Sequence, residues 1–410
     1  MRAIIVGGSH AGAQLCASLR QEGWDGELLV IGDEPILPYH RPPLSKAYLA
    51  GKSTLDELLI RPADFYAKND IAFRHAGVVS IDRDAHSLTL SDGEKVGYDK
   101  LALCLGARPR RLPLAGTELA GVHYLRYAAD IEAIRSGVAG AGRVVIIGAG
   151  YIGLETAASL RKRGVEVTVL EHADRVMQRV TAPEVSAFYA RVHREEGVDI
   201  RTGVAISAIE GDDSVRGVRL ADGELIEADL VIIGVGVVPN TELAEAAGLA
   251  VDNGIIIDDH ALTNDPDIVA AGDCVSHFMH RYGRRLRLES VPSAGEQAKV
   301  AAATICGKVK TVTALPWFWS DQYELKLQIA GLNEGYDSVV LRGDPDAGRS
   351  FACFYFTKGE MIAADCVNRP QEFMFSRRVL GDRIPVAPSQ LADPESSLSE
   401  LLKAAVASKL

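Results

Sequence analysis

Gly7, Ser9 and Gly12 recur in spacing as Gly148, Gly150 and Gly153, and each set follows an apolar run and opens an alanine-rich one. Small residues at those steps let a buried strand turn sharply into a helix. The helix's free N-terminal amides and the positive end of its dipole then face a pyrophosphate. Two such turns point to two bound dinucleotides, and a chain holding two can pass electrons between them. Ser9 stands where the middle glycine normally lets the backbone approach the pyrophosphate; a serine still fits and can donate a hydrogen bond.

The elements that must position these turns are legible around them. Ile4-Ile5-Val6 and Val144-Val145-Ile146-Ile147 read as buried parallel strands. Beyond the second turn, a helix-like stretch through Arg163-Gly164 leads to Val165-Glu166-Val167-Thr168-Val169-Leu170-Glu171, a strand ending in an acid. Glu171 is placed to accept hydrogen bonds from both ribose hydroxyls of NADH and to repel the 2′-phosphate of NADPH, so NADH is expected. Arg175 and Arg179, near His172, read as a solvated helix start. Beyond the first turn, Leu28-Leu29-Val30-Ile31-Gly32-Asp33-Glu34 repeats the strand and acid.

A chain of 410 residues with 47% hydrophobic content can fill more than one core, so two or three domains are expected. A net charge of −11, from 44 basic and 55 acidic residues, argues against nucleic acid as the main partner. Two basic clusters, Arg281 with Arg284, Arg285 and Arg287, and Arg108 with Arg110 and Arg111, are either solvated faces or docking surfaces for an acidic protein. No apolar run approaches the roughly 18 residues needed to span a bilayer. No signal peptide is expected ahead of the first strand, and a cytoplasmic location follows. The cysteines, Cys16, Cys104, Cys274, Cys306, Cys353 and Cys366, include no close pair. A dithiol relay is therefore not expected, nor a metal centre with any of the histidines; the thiols read as buried.

The order of motifs resembles the FAD-dependent, NADH-using ferredoxin reductases, a putidaredoxin reductase-like group within the glutathione-reductase-like superfamily that includes the reductase components of aromatic-ring dioxygenases. The resemblance is carried by Tyr39-His40-Arg41-Pro42-Pro43-Leu44-Ser45-Lys46, Gly148 to Glu155, Ala270-Ala271-Gly272-Asp273-Cys274, Glu289-Ser290-Val291-Pro292 and Pro316-Trp317-Phe318-Trp319-Ser320-Asp321-Gln322-Tyr323. Disulfide-reducing members of the superfamily keep a cysteine pair where Pro42-Pro43 stand here, and a peroxidase or oxidase of this fold needs a redox cysteine there. Relatives read A-T-G where this chain has Leu103-Cys104-Leu105-Gly106, which removes a threonine hydroxyl near the FAD.

The resemblance implies FAD on the first turn and the nicotinamide cofactor on the second. FAD contacts then fall to Gly7, Ser9, His10, Ala11 and Gly12, with Asp33 on the ribose. Arg41, Val78, Arg126 and Val291 are further cofactor contacts, and Asp273, expected at a helix start, holds the ribityl chain. On the nicotinamide side stand Gly148, Gly150, Ile152, Gly153, Glu171 and Gly236. Lys46 and Glu155 are implied as a pair beside the flavin that positions the nicotinamide ring, and Trp319 as a ring at the flavin edge. Hydride transfer asks for no protein acid or base, so these catalytic residues act by positioning and electrostatics.

The expected fold is α/β, with two Rossmann-like dinucleotide-binding domains and a C-terminal α+β domain. Residues 1–107 and 238–315 are assigned to the FAD-binding domain, 108–237 to an inserted NAD-binding domain, and 316–410 to the C-terminal domain. In the last, Leu325 to Ile329 and the alternating run Phe351 to Phe356 read as antiparallel strands, and Leu398 to Ala407 as a closing helix. The expected partner is a [2Fe-2S] ferredoxin, docked transiently by charge, that serves a cytochrome P450 or a ring-hydroxylating oxygenase. The competing readings are a rubredoxin reductase and an apoptosis-inducing-factor-like redox-gated binding flavoprotein.

Overall fold

The computed structural model describes residues 1–393 and 395–409. The chain forms two compact units: Met1–His40, Leu55–Arg108 and Val237–Ala314 make the first, and Arg41–Thr54, Pro109–Gly236 and Leu315–Leu410 the second.

In the first unit a five-stranded parallel sheet runs in the order Ile268–Ala270, Lys100–Leu103, Arg2–Val6, Glu27–Gly32, Ile71–His75. Its central strand is apolar throughout because both faces are covered, and Ile4 and Ile5 have 0% exposure. Each such side chain contributes about 1.5–3 kcal/mol of burial. The helix His10–Glu22 leaves the first turn and packs beside Val291–Ile305, a helix capped by the Ser290 hydroxyl, which accepts from the Ser293 amide at 3.3 Å.

The second unit repeats the plan. Its parallel sheet runs Asp199–Arg201, Glu166–Leu170, Arg143–Ile147, Leu230–Ile233, Val122–Tyr124, and the helix Tyr151–Arg161 leaves the second turn. The same unit contains the C-terminal antiparallel sheet, ordered Trp317–Gln322, Leu325–Gly331, Glu360–Val367, Phe351–Thr357, Ser338–Arg342. The sequence expectation of α/β architecture with a C-terminal α+β portion holds. The strand at Phe351–Thr357 departs from the half-buried alternation read in its sequence, for all six residues from Phe351 to Phe356 are buried. Phe354 and Phe356 pack toward the helix Pro370–Asp382, while Phe351 meets Phe188 on the opposite side with ring centroids 4.9 Å apart. Covering on both faces makes an antiparallel strand read as continuously apolar.

Residues 41–54 belong to the second unit because they are bonded into it. Arg41 donates to the carbonyl of Arg126 at 2.9 Å, and Arg163 to that of Leu49 at 2.9 Å. Among the described residues no helix is long and apolar enough to cross a membrane.

Candidate active site

The first turn is tight for a steric reason. Gly7 has φ of +112°, and a Cβ there would lie 2.1 Å from the carbonyl oxygen of Cys104; one on Gly12 would lie 2.0 Å from that of Gly7. Gly7 donates to the carbonyl of Ile31 at 2.8 Å, and Ser9 takes the extended N-cap position of the following helix. The helix therefore opens from a turn that tolerates no Cβ at Gly7 or Gly12, and its N-terminal end suits a pyrophosphate. His10 lies at the same helix start, with Nε2 3.3 Å from Nδ1 of His40. Asp33 is exposed just past the sheet, its carbonyl 2.8 Å from Nε2 of His75.

The second turn has the same build. A Cβ on Gly148 would lie 2.5 Å from the Gly234 carbonyl, and one on Gly153 2.1 Å from that of Gly148. Gly150 is the N-cap, with open space where its Cβ would be. Glu171 follows the strand Glu166–Leu170 directly, and its carboxylate accepts from the amides of Ala149 at 2.7 Å and Ala173 at 2.8 Å. Arg175 is not part of a helix start as its sequence suggested. It lies in a loop, where its guanidinium donates to the carbonyls of Gln178 and Thr181 and to the Ser186 hydroxyl.

Lys46 and Glu155 meet within the second unit. Lys46 Nζ lies 2.8 Å from Glu155 Oε2, with the side chains 19% and 4% exposed. Helical spacing explains the docking: Glu155 and Ser159 lie one turn apart on one face of Tyr151–Arg161. The Ser159 hydroxyl donates to the carbonyl of Ser45 at 2.7 Å, which brings Ser45 and Lys46 over Glu155. A carboxylate this buried costs several kcal/mol in lost hydration unless its lone pairs are filled. They are filled by Lys46, by the Ser45 hydroxyl at 2.6 Å, and by the Ser320 hydroxyl at 2.6 Å. Lys46 also donates to the carbonyl of Pro42 at 3.1 Å, which fixes the ammonium's position.

Ser45 and Ser320 were not singled out in the sequence, although one signal was there. In the strand Trp317–Gln322 the period of two puts Ser320 and Gln322 on one face and both tryptophans on the other. Ser320 and Gln322 are buried, and polar side chains on the buried face of a strand imply partners. Trp317 and Trp319 are half-buried with ring centroids 5.6 Å apart, so the shared face expected for them is present.

The remaining site residues are distributed between the units. Ala11, Val78, Asp273 and Val291 lie in the first, and Arg126, Ile152 and Gly236 in the second. Ile152 is an exposed apolar residue in the first turn of its helix, and Gly236 has φ of +94°. Asp273 is not at a helix start: it lies in a turn between Gly272, φ +95°, and the strand Val275–Met279. The β-forming run after it pairs in parallel with Ile255–Ile257, which overrides the helical reading. The turn is braced from the helix Val291–Ile305, where Gln297 accepts the Gly272 amide at 2.9 Å.

Of the basic residues offered for docking, Arg108 is 2.5 Å from Glu242 and Arg287 is 2.6 Å from Glu289. All six cysteines are free thiols and all but Cys306 are buried; burial pushes Cys16 up to about 12 and Cys274 up to about 11, leaving both protonated and inert.

Residues 1–298 match the family described as pyridine nucleotide-disulphide oxidoreductase, and residues 317–402 match the family described as reductase C-terminal. The chain is 47% identical to putidaredoxin reductase CamA of Pseudomonas putida, over 98% of this chain and 97% of that one. It is 44% identical to the ferredoxin reductase subunit of the 5,5'-dehydrodivanillate O-demethylase of Sphingobium sp., over 98% of each. Among solved structures, the covalent putidaredoxin reductase–putidaredoxin complex superposes with a TM-score of 0.96 at 47% identity, covering 99% of both chains.

Proposed function

The chain belongs to the pyridine nucleotide-disulphide oxidoreductase family and carries a reductase C-terminal domain, and on that premise we propose that it is an NADH-dependent ferredoxin reductase. Its acceptor is a [2Fe-2S] ferredoxin that serves a cytochrome P450 or a ring-hydroxylating oxygenase. In this reading the FAD-binding domain comprises residues 1–107 and 238–315, the NAD-binding domain 108–237, and the C-terminal domain 316–410. A cytoplasmic setting suits it, since NADH is drawn from that pool and free thiols persist there.

The glycine cradles fit two dinucleotides. Gly7, Ser9, His10, Ala11 and Gly12 would hold FAD, with Asp33 on its ribose and Asp273 on its ribityl chain, and Arg41, Val78, Arg126 and Val291 as further contacts. Gly148, Gly150, Ile152 and Gly153 would hold NADH, with Glu171 on its ribose and Gly236 opposite. FAD held by these residues would supply hydride acceptance from NADH and release of electrons one at a time, as a one-electron iron–sulfur acceptor requires. Lys46 supplies a fixed positive charge where electron density builds up, and Glu155 sets the direction in which that ammonium points. Trp319 would stand at the flavin edge, where its ring would exclude water. The chain's own work is alignment of two rings and control of the charge around them.

The observation that carries the reading is the Lys46–Glu155 pair, buried and held by two serine hydroxyls in the unit that contains the second turn. It is tested by anaerobic stopped-flow reduction with NADH, followed by mixing with a [2Fe-2S] ferredoxin. Rapid bleaching of the flavin and then of the cluster is expected. A flavin that reduces but passes electrons to no iron protein would overturn the acceptor assignment.

A further inference from the structure

Behind Glu155 a line of polar side chains runs through the interior of the second unit, and its hydrogen-bond polarity can be deduced one atom at a time. Glu155 Oε1 can only accept, so the Ser320 hydroxyl, 2.6 Å away, donates to it. That uses the one hydrogen of Ser320. Toward Gln322, whose Nε2 is 3.2 Å away, Ser320 must therefore accept. With its amino group turned to Ser320, Gln322 presents its oxygen to His193, 2.8 Å from Nε2 of that ring. His193 Nε2 must then carry the proton, which leaves Nδ1 as the acceptor of the Tyr323 hydroxyl at 3.2 Å.

Every donor in the line points the same way, from Tyr323 at the half-buried end to Glu155. Ser320 and His193 are 0% exposed and Gln322 is 1% exposed, so no solvent competes for these bonds and aligned dipoles strengthen one another. The neutral ring that the line requires is the form present, since burial pushes the His193 imidazole down to about 4.

We propose that Tyr323, His193, Gln322 and Ser320 form a one-way positioning relay that holds the Glu155 carboxylate, and through it the Lys46 ammonium, in register for hydride transfer. This rests on the functional reading above, with Lys46 and Glu155 touching the cofactors and the four residues behind them acting only through Glu155. The line also gives the SDQY run of the C-terminal strand a task in the second dinucleotide unit. Strand alternation puts Ser320 and Gln322 on the inner face, and the left-handed backbone of Tyr323, φ +56°, turns the chain where the line ends.

Two measurements on the flavin-loaded protein test it. Nitrogen-15 NMR of the His193 ring at neutral pH should find the proton on Nε2; a ring protonated on Nδ1 would overturn the relay without any variant being made. In stopped flow at saturating NADH, Ser320→Ala should slow flavin reduction about tenfold, the worth of one hydrogen bond to a charged group, while NADH half-saturation stays near wild type. Ser320→Thr, which keeps the hydroxyl, should recover most of that rate. Tyr323→Phe should cost less and leave the proton on His193 Nε2, because Gln322 still presents its oxygen there. A Ser320→Ala protein that reduces at the wild-type rate would also sink the relay. Wild-type protein that NADH fails to reduce would instead overturn the functional reading, and the His193 tautomer would still decide the relay.

Discussion

The two glycine turns are near copies in backbone and differ in how they manage negative charge. In both, the first glycine amide is tied to the end of the neighbouring strand, Gly7 to Ile31 and Gly148 to Leu170, each at 2.8 Å. The next residue of that strand is where they part. In the second unit it is Glu171, which lays its carboxylate on the amide of Ala149 inside the turn. In the first it is Gly32, where a Cβ would come within 3.5 Å of the Gly8 amide, and the acids follow one and two residues later. Glu34 accepts from the Tyr39 hydroxyl at 2.7 Å. The first turn thus carries no carboxylate from that position of its strand, and the second does. On the reading proposed above, a dinucleotide at the second turn would meet an internal carboxylate that the same strand position of the first lacks.

The sharpest break of the comparison is to fill each cradle separately. A methyl at Gly12 or Gly153 must push a carbonyl about 2 Å away, a clash worth about 1–3 kcal/mol where the backbone must yield. Gly12→Ala is expected to purify without flavin absorbance. Gly153→Ala should stay yellow and be reduced by dithionite but not by NADH at ordinary concentrations. A colourless Gly153→Ala protein would mean that the turns are not assigned as proposed.

The second unit also holds buried titratable groups of opposite sign. For His193, pushed from 6.5 to about 4, the unfolded chain takes up the proton first as pH falls, so its contribution is complete above about pH 6.5 and lost toward pH 4. For Asp365, pushed from 3.8 up to about 7 by burial, the unfolded chain loses its proton first, so stability is lost as pH rises from about 4 to 7. The two contributions amount to about 3 kcal/mol for His193 and about 4 kcal/mol for Asp365 and largely offset each other. Asp365→Asn should therefore unmask a loss of stability on acidification between pH 6.5 and 4, read by urea unfolding at each pH. An unchanged pH profile would refute the assignment.

Smaller effects should follow at the ribose and at the turn itself. Glu171→Gln keeps an acceptor oxygen but loses the charge, and is expected to raise the KM for NADH about tenfold while narrowing the preference over NADPH. Steady-state kinetics with both cofactors would show it. Ser9→Gly restores the glycine usual at that step. Because serine and glycine differ by only a few tenths of a kcal/mol at an N-cap, flavin retention in a dialysis series should hardly move.

Much of the site was legible because it is local. A turn that needs glycines at fixed steps, an acid at a strand end and alternating tryptophans each express constraints that act within a few residues. The misreadings were local signals overruled from a distance. Gly272-Asp273 looks like the start of a helix, yet the run after it pairs with Ile255–Ile257 and becomes a strand. Phe351 to Phe356 alternates in no useful sense because it is covered on both faces.

By itself the sequence determined that this chain has two dinucleotide turns, which acid stands beside the second, and that no cysteine pair attends them. All of these depend on residue type at short spacing. The resemblance implied the pairing of Lys46 with Glu155; only the tertiary structure decided that Ser45 and Ser320 join it at one buried point, and that Gln322, His193 and Tyr323 stand behind it. Those residues come from separate helices, a strand and a loop, and nothing in their spacing along the chain encodes a meeting that depends on burial. A carboxylate removed from water must find donors wherever the packed interior offers them.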